Sequence, residues 1–155
     1  MYNGAVNNLQ EENLMVRKLL LSGIVYILLT LPGLADTRIP IEITKIYDGD
    51  TVEAKIDKNK PFKIRLIDID CYETSKIHRA YKQAYCNHKS IDDVIAAGLD
   101  SKKYLQNLYH NHKSDQIYLE FKGIDIYGRA LGILYFDTLN VNENLKNSGG
   151  CLNYK

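Results

Sequence analysis

The stretch from Tyr47 to Glu73 constrains the fold more than any other part of the chain. It reads Tyr47-Asp48-Gly49-Asp50-Thr51-Val52, crosses the polar turn Asp57-Lys58-Asn59-Lys60-Pro61, and resumes as Lys63-Ile64-Arg65-Leu66-Ile67-Asp68-Ile69-Asp70-Cys71-Tyr72-Glu73. Val52, Ala54 and Ile56 alternate as on a strand with one buried face. Phe62 to Ile69 is apolar on both faces, as expected inside a tightly curved sheet. Each segment has acidic groups at an end, and Arg65 sits inside the second. Asp48, Asp50, Asp70 and Glu73 beside a fixed cation are an unusual filling for a small β-domain. Hard divalent cations take oxygen ligands and phosphate suits guanidinium, so the cluster points to metal-assisted phosphate chemistry. One geometric condition follows. In a regular strand Arg65 and Asp70 have opposite parity, so they share a site only if the strand bends or bulges between them.

The rest of the chain supplies more short strands than helices. Ile41 to Ile46 reads as a strand, Asp48-Gly49-Asp50 as a turn, and Thr51 to Ile56 as the second strand. Residues 70 to 98 form a long connection without clear periodicity. The pattern from Leu99 to His110 predicts an amphipathic helix, with Asp100 in its first turn and His110 in its last. Gln116 to Phe121 and Arg129 to Phe136 are the fourth and fifth strands, and Val141 to Asn147 a short helix ended by Gly149-Gly150. Three strands, a helix, two strands and a helix, without a βαβ rhythm, predict an α+β, mainly β fold: a five-stranded OB-type barrel with two or three short helices.

The N-terminus reads differently. Arg17 and Lys18 precede the apolar run Leu19 to Leu31, and Gly33 and Ala35 stand at a small-residue exit before Asp36. This is the pattern of an export signal over residues 1–35, with Met15 a compact start, and with the folded domain over 36–155. The run is short for a membrane span, which needs roughly 20 residues. Export into the medium or a periplasm is the expectation, with an uncleaved membrane anchor as the alternative. In an oxidising compartment a Cys71–Cys86 bridge is plausible and would contribute ~3 kcal/mol by restraining a loop of that length. The sequence does not fix the pairing, and one of the three cysteines must stay odd. No spacing suggests zinc, and His110 and His112 read as solvated helix-end residues.

A formal net charge of +1 provides no general field for nucleic acid, so phosphates would have to be gripped locally. Twelve tyrosines against three phenylalanines suit half-buried strands and also base stacking.

Three motifs line up in order: Asp48-Gly49-Asp50-Thr51-Val52, then Ile64-Arg65-Leu66 leading to Asp70-Cys71-Tyr72-Glu73, then Asp125-x-Tyr127-Gly128-Arg129-x-Leu131-Gly132. Asn140-Val141-Asn142-Glu143-x-Leu145 follows. Each fragment alone is weak, but the ordered set resembles the staphylococcal nuclease (thermonuclease) family, from about Ile41 to Gly149. The resemblance implies calcium held by Asp50, Asp70 and the backbone carbonyl of Cys71. It implies Glu73 as general base and Arg65 and Arg129 as the phosphate clamp, with Asp48 supporting the site. It implies hydrolysis of DNA and RNA, single-stranded or locally melted, with little sequence preference, by a monomer. Asp48 and Asp50 do not open an EF-hand, because Glu53 and Asn59 fall where its glycine and glutamate belong.

Two departures stand out. The family pattern has proline where this chain has Tyr72, which removes a backbone restraint just before Glu73. Family members also continue past the Val-Asn-Glu-x-Leu helix into a further helix, whereas this chain stops at Lys155, so that C-terminal helix is expected to be missing. The rival readings are a non-catalytic OB-type module that binds nucleic acid or peptide, and a shortened, inactive paralogue.

Overall fold

The chain was analysed as a computed structural model, which describes residues 38–148 and 151–153. The leader reading over residues 1–35 lies outside the described residues. Thr37–Lys155 forms one unit by itself. Its strands are β1 (Arg38–Pro40), β2 (Glu42–Ile46), β3 (Thr51–Lys55), β4 (Phe62–Leu66), β5 (Ile69–Cys71), β6 (Ile117–Ile124), β7 (Ala130–Phe136), β8 (Leu139–Asn140) and β9 (Cys151–Asn153). The helices are α1 (His78–Cys86), α2 (Ile91–Asn111) and α3 (Val141–Asn147).

Pairing runs β1-β6-β7-β4-β3-β2, with β8 on β7. Only Ile41 separates β1 from β2, and its N–H donates to Ile117 O at 2.9 Å. The path therefore begins and ends on one bent stretch of chain, as the OB-type arrangement requires. Neighbours are antiparallel except β4 and β7, where Arg65 lies opposite Leu131 in parallel register. That pair joins the β2-β3-β4 meander to the β6-β7 hairpin, so Arg65 and the foot of β7 come to one end of the sheet.

Val52, Ile64, Leu66, Leu119, Leu134 and Phe136 fill the interior, and Leu105 of α2 and Val141 and Leu145 of α3 pack on it. A second, smaller cluster joins Tyr72, Ala80, Ala84 and Val94 at the seam of α1 and α2.

Four sequence expectations are corrected. The strand expected over Phe62 to Ile69 breaks after Leu66, where Asp68 takes φ 63° before β5 begins. This break is the bend that Arg65 and Asp70 needed in order to meet. The connection over residues 70–98 contains α1 and the first two turns of α2, so the helix expected at Leu99 starts at Ile91. Ser90 caps it by accepting the Asp93 N–H at 3.1 Å, and Asp92 and Asp93 sit in the first turn.

The third correction concerns the cysteines. Cys71 bridges Cys151, not Cys86, because β5 and β9 pair antiparallel and place those two residues opposite each other, Cα atoms 4.1 Å apart. Cys86 is free and exposed. The fourth concerns the strands: the sequence predicts five, and the described residues form nine, seven in one sheet and two, β5 and β9, in another.

Two polar residues of the Asn140-Val141-Asn142 motif organise α3. Asn140 caps it by accepting the Glu143 N–H at 3.1 Å. Asn142 is buried and accepts from Leu134 N while donating to Ile67 O and Gly132 O. It thereby ties the β4–β5 bend to β7.

Candidate active site

Asp50 leaves the turn after β2 with its carboxylate turned inward. Its N–H donates to Asp48 Oδ1 at 3.0 Å, so Asp48 shapes the turn, and its charge bears on both Asp50 and Glu73. Asp50 Oδ2 accepts the Cys71 N–H at 2.6 Å, and Oδ1 forms an ion pair with Arg65 Nη1. Asp50 and Arg65 are 4% and 7% exposed, so the pair is desolvated. Burial pushes the Asp50 carboxyl up to about 6, while Arg65 and the Cys71 N–H pull it down.

Arg65 also donates through Nη2 to Ile69 O at 3.1 Å and to Asp70 Oδ1 at 3.3 Å. One guanidinium thus spans both carboxylates expected to hold metal. Arg79 of α1 pairs with the same Asp70 oxygen and lies 3.3 Å from Glu73 Oε1 through its Nε. Burial raises the Glu73 carboxyl above its ordinary range, against the pull of Arg79.

The backbone around Glu73 is held from two sides. Gln83 of α1 accepts the Glu73 N–H and donates to Cys71 O, both at 3.0 Å. Gly98 of α2 presses on the other side so closely that a Cβ there would lie 2.2 Å from Glu73 O.

Arg129 reaches the site from the β6–β7 hairpin. Asp125 Oδ1 accepts the N–H groups of Tyr127 and Arg129, each at 2.9 Å, and Gly128 takes φ 78° to close the turn. Asp125 Oδ2 holds Arg129 Nε at 2.7 Å. Burial would raise the Asp125 carboxyl, but these contacts with Arg129 and Tyr127 outweigh it and hold it low. The Arg129 guanidinium lies over the Tyr127 ring at 5.6 Å, and its terminal amino groups make no hydrogen bond or ion pair among the described residues, which leaves them able to donate to a phosphate.

A cavity of about 890 Å³ lies between these walls, lined by Arg65, Asp70, Arg79, Lys82, Tyr127 and Arg129 among others. Of the residues expected from the sequence, Asp50, Arg65, Asp70, Cys71 and Glu73 come together, and Arg129 shares the cavity with Arg65 and Asp70, while Asp50 and Cys71 do not line it. Glu73 is not among the lining residues and connects to the cavity through Arg79. Arg79 and Gln83 were not anticipated. Their helix buries only Ala80, Gln83 and Ala84, a stripe with the right spacing but too little apolar character to register.

Among the described residues no group of three or more His, Cys, Asp or Glu side chains converges as a preformed metal cage. The donor chemistry still suits a hard cation. Asp50 Oδ1 and Asp70 Oδ1 already face one shared positive charge, the Arg65 guanidinium. The Cys71 carbonyl keeps one lone pair beyond the bond from Gln83.

A model of the staphylococcal nuclease homologue family matches residues 63–155. The chain belongs to this family. The match covers all of β4 but its first residue, the Arg65–Glu73 stretch, the Arg129 turn and α3, and so every residue that lines the cavity. A curated relative, an uncharacterized endonuclease of Haemophilus influenzae, is 30% identical over 139 residues. That alignment takes in 90% of this chain and 66% of the relative, so the chain spans a little under two thirds of the relative's length.

Proposed function

We propose that this chain is an exported, calcium-dependent nuclease that hydrolyses phosphodiester bonds of DNA and RNA with little sequence preference. The observation that carries the reading is the convergence of Arg65 and Arg129 on one cavity, with Asp70 paired to Arg65 and Arg79 there and Glu73 paired to Arg79. Family membership and the name of the Haemophilus relative agree with it.

Arg129 presents two unpaired amino groups from a turn already fixed by Asp125, and planar guanidinium matches two phosphate oxygens at once. Arg65 lines the same cavity, and the pair would stabilise the charge that gathers as phosphorus becomes five-coordinate. Glu73, its affinity for a proton raised by burial, would take the proton of an attacking water. The water oxygen bonds to phosphorus in line, the bond to the 5′-oxygen breaks, and that oxygen takes up a proton, leaving a 3′-phosphate. Calcium would be held by Asp50, Asp70 and the Cys71 carbonyl and, when bound, would supply positive charge that lowers the repulsion between phosphate and nucleophile.

Purified protein given single-stranded DNA or RNA, with calcium or with a chelator, tests this directly. Cleavage should require calcium and fall by a factor of ~10² to 10³ in Glu73→Gln and in Arg129→Ala. Absence of cleavage by protein shown to be folded would overturn the reading in favour of a binding module. Export is tested by fractionating cells that express the full chain.

A further inference from the structure

Gln83 occupies a position unusual for a surface-helix glutamine. It is 6% exposed, and both ends of its amide are used on one strand of backbone. Oε1 accepts the Glu73 N–H and Nε2 donates to Cys71 O. In extended chain the C=O of one residue and the N–H two residues on point to the same side, so a primary amide can pair with both as a neighbouring strand would. Ala80 and Ala84 flank Gln83 on the buried face of α1, and their small side chains let the helix approach Tyr72 closely enough for the amide to reach. The residue between the clamped groups is Tyr72, where the resemblance leads one to expect proline.

We propose that Gln83 is a positioning residue for Glu73, replacing by hydrogen bonding the backbone restraint that proline would supply. The inference rests on the nuclease reading above. Gln83 lines the cavity, but both ends of its amide are taken by the main chain of Cys71 and Glu73, so it fixes the backbone from which the Glu73 carboxylate projects. Gly98 blocks movement of the same peptide from the α2 side, and Arg79 holds the carboxylate itself. With the amide lost, the Cys71–Glu73 segment would keep its Gly98 contact but lose its registration against α1.

The test compares Gln83→Met with Ala80→Gly, which weakens the same buried helix face without touching the clamp. Steady-state cleavage of single-stranded DNA in calcium is measured beside thermal unfolding and the exchange rate of the Glu73 amide hydrogen. Gln83→Met should lower kcat at least ~10-fold, leave KM within ~2-fold and speed Glu73 amide exchange. Ala80→Gly, at a comparable fall in Tm, should keep kcat within ~2-fold. Equal losses in the two variants, or unchanged kcat in Gln83→Met, overturn the proposal. Should Gln83→Met fail to fold, Gln83→Glu keeps the acceptor for Glu73 N–H and loses the donor to Cys71 O. Reduced kcat there supports the clamp, and wild-type kcat overturns it. A folded wild type that cleaves nothing while its Glu73 amide is protected sinks the nuclease reading and the role assigned to Gln83 together. A wild type that cleaves with an unprotected Glu73 amide sinks the clamp alone.

Discussion

Cys71 and Cys151 stand opposite each other in the β5–β9 pair, and the bridge between them ties the residue after Asp70 to the segment after α3. Cys71 also gives its N–H to Asp50 and its carbonyl to Gln83. The bridge is therefore anchored in the site, and it closes a loop of 80 residues.

Reduction should cost both stability and activity. A loop of that length restrains the unfolded chain by ~4 kcal/mol in the chain-entropy account. Cys151→Ser should lower the melting temperature and the rate of DNA cleavage, and dithiol reductant should do the same to the wild type. Cys86→Ser should leave the melting temperature and its response to reductant unchanged, because that thiol is exposed and unbridged. A reductant effect that survives in Cys151→Ser and vanishes in Cys86→Ser would contradict the pairing.

Gly98 carries the second prediction. A methyl group there would sit 2.2 Å from Glu73 O and 2.6 Å from Tyr72 O, both backbone atoms that cannot swing aside. Gly98→Ala should therefore move α2 away from the Glu73 segment, costing ~1–3 kcal/mol as overpacking does, and should reduce kcat more than Ala80→Gly at equal stability. Chemical denaturation and steady-state cleavage on the same preparations check both halves. Wild-type stability and kcat would show that the segment yields freely.

The raised Glu73 carboxyl fixes the direction of a pH effect. A base acts when deprotonated, so cleavage should rise with pH through the Glu73 titration. Arg79 pulls that titration down against burial. Removing the cation in Arg79→Met should shift the acidic limb of the kcat profile to higher pH and leave activity well above that limb less affected. An acidic limb that stays in place, or moves to lower pH, would remove Glu73 as the group responsible.

Much of this site was legible in the residues because the chemistry is carried by types that sequence displays openly. The alternation around Val52 and the Asp48-Gly49-Asp50 turn marked the strands, and the parity conflict between Arg65 and Asp70 made a shared site conditional on a bend between them, which the chain makes at Asp68 with φ 63°. What was hidden depended on contacts made across the fold. The face of α1 is two alanines and a glutamine, so no apolar period announces it. The start of α2 was signalled by Ser90 and Asp93, a cap spacing that the polar run around it obscured. The partner of Cys71 is set by β9 meeting β5, a pairing 80 residues apart that local pattern does not encode.

Arg65 joins stability to function. It neutralises Asp50 inside the protein, and removing one member of a buried pair leaves the other charge uncompensated, at a typical cost of ~3–5 kcal/mol. Arg65→Ala should thus be strongly destabilised near neutral pH as well as inactive. The pH dependence has a definite sign. Asp50 already titrates at about 6, above an ordinary aspartate, and loss of Arg65 removes a pull in the other direction and raises it further. A folded state that binds a proton more readily than the unfolded chain gains stability as pH falls through the folded pKa and loses it as pH rises. The deficit of Arg65→Ala relative to wild type should therefore shrink on acidification from pH 7 towards 5. Asp50→Asn should remove most of the deficit at pH 7 when combined with Arg65→Ala, without restoring cleavage. Urea unfolding of the four proteins at both pH values decides it. A deficit that grows on acidification, or persists unchanged in the double variant, would mean that Arg65 stabilises the fold through its bond to Ile69 O and its packing and not through Asp50.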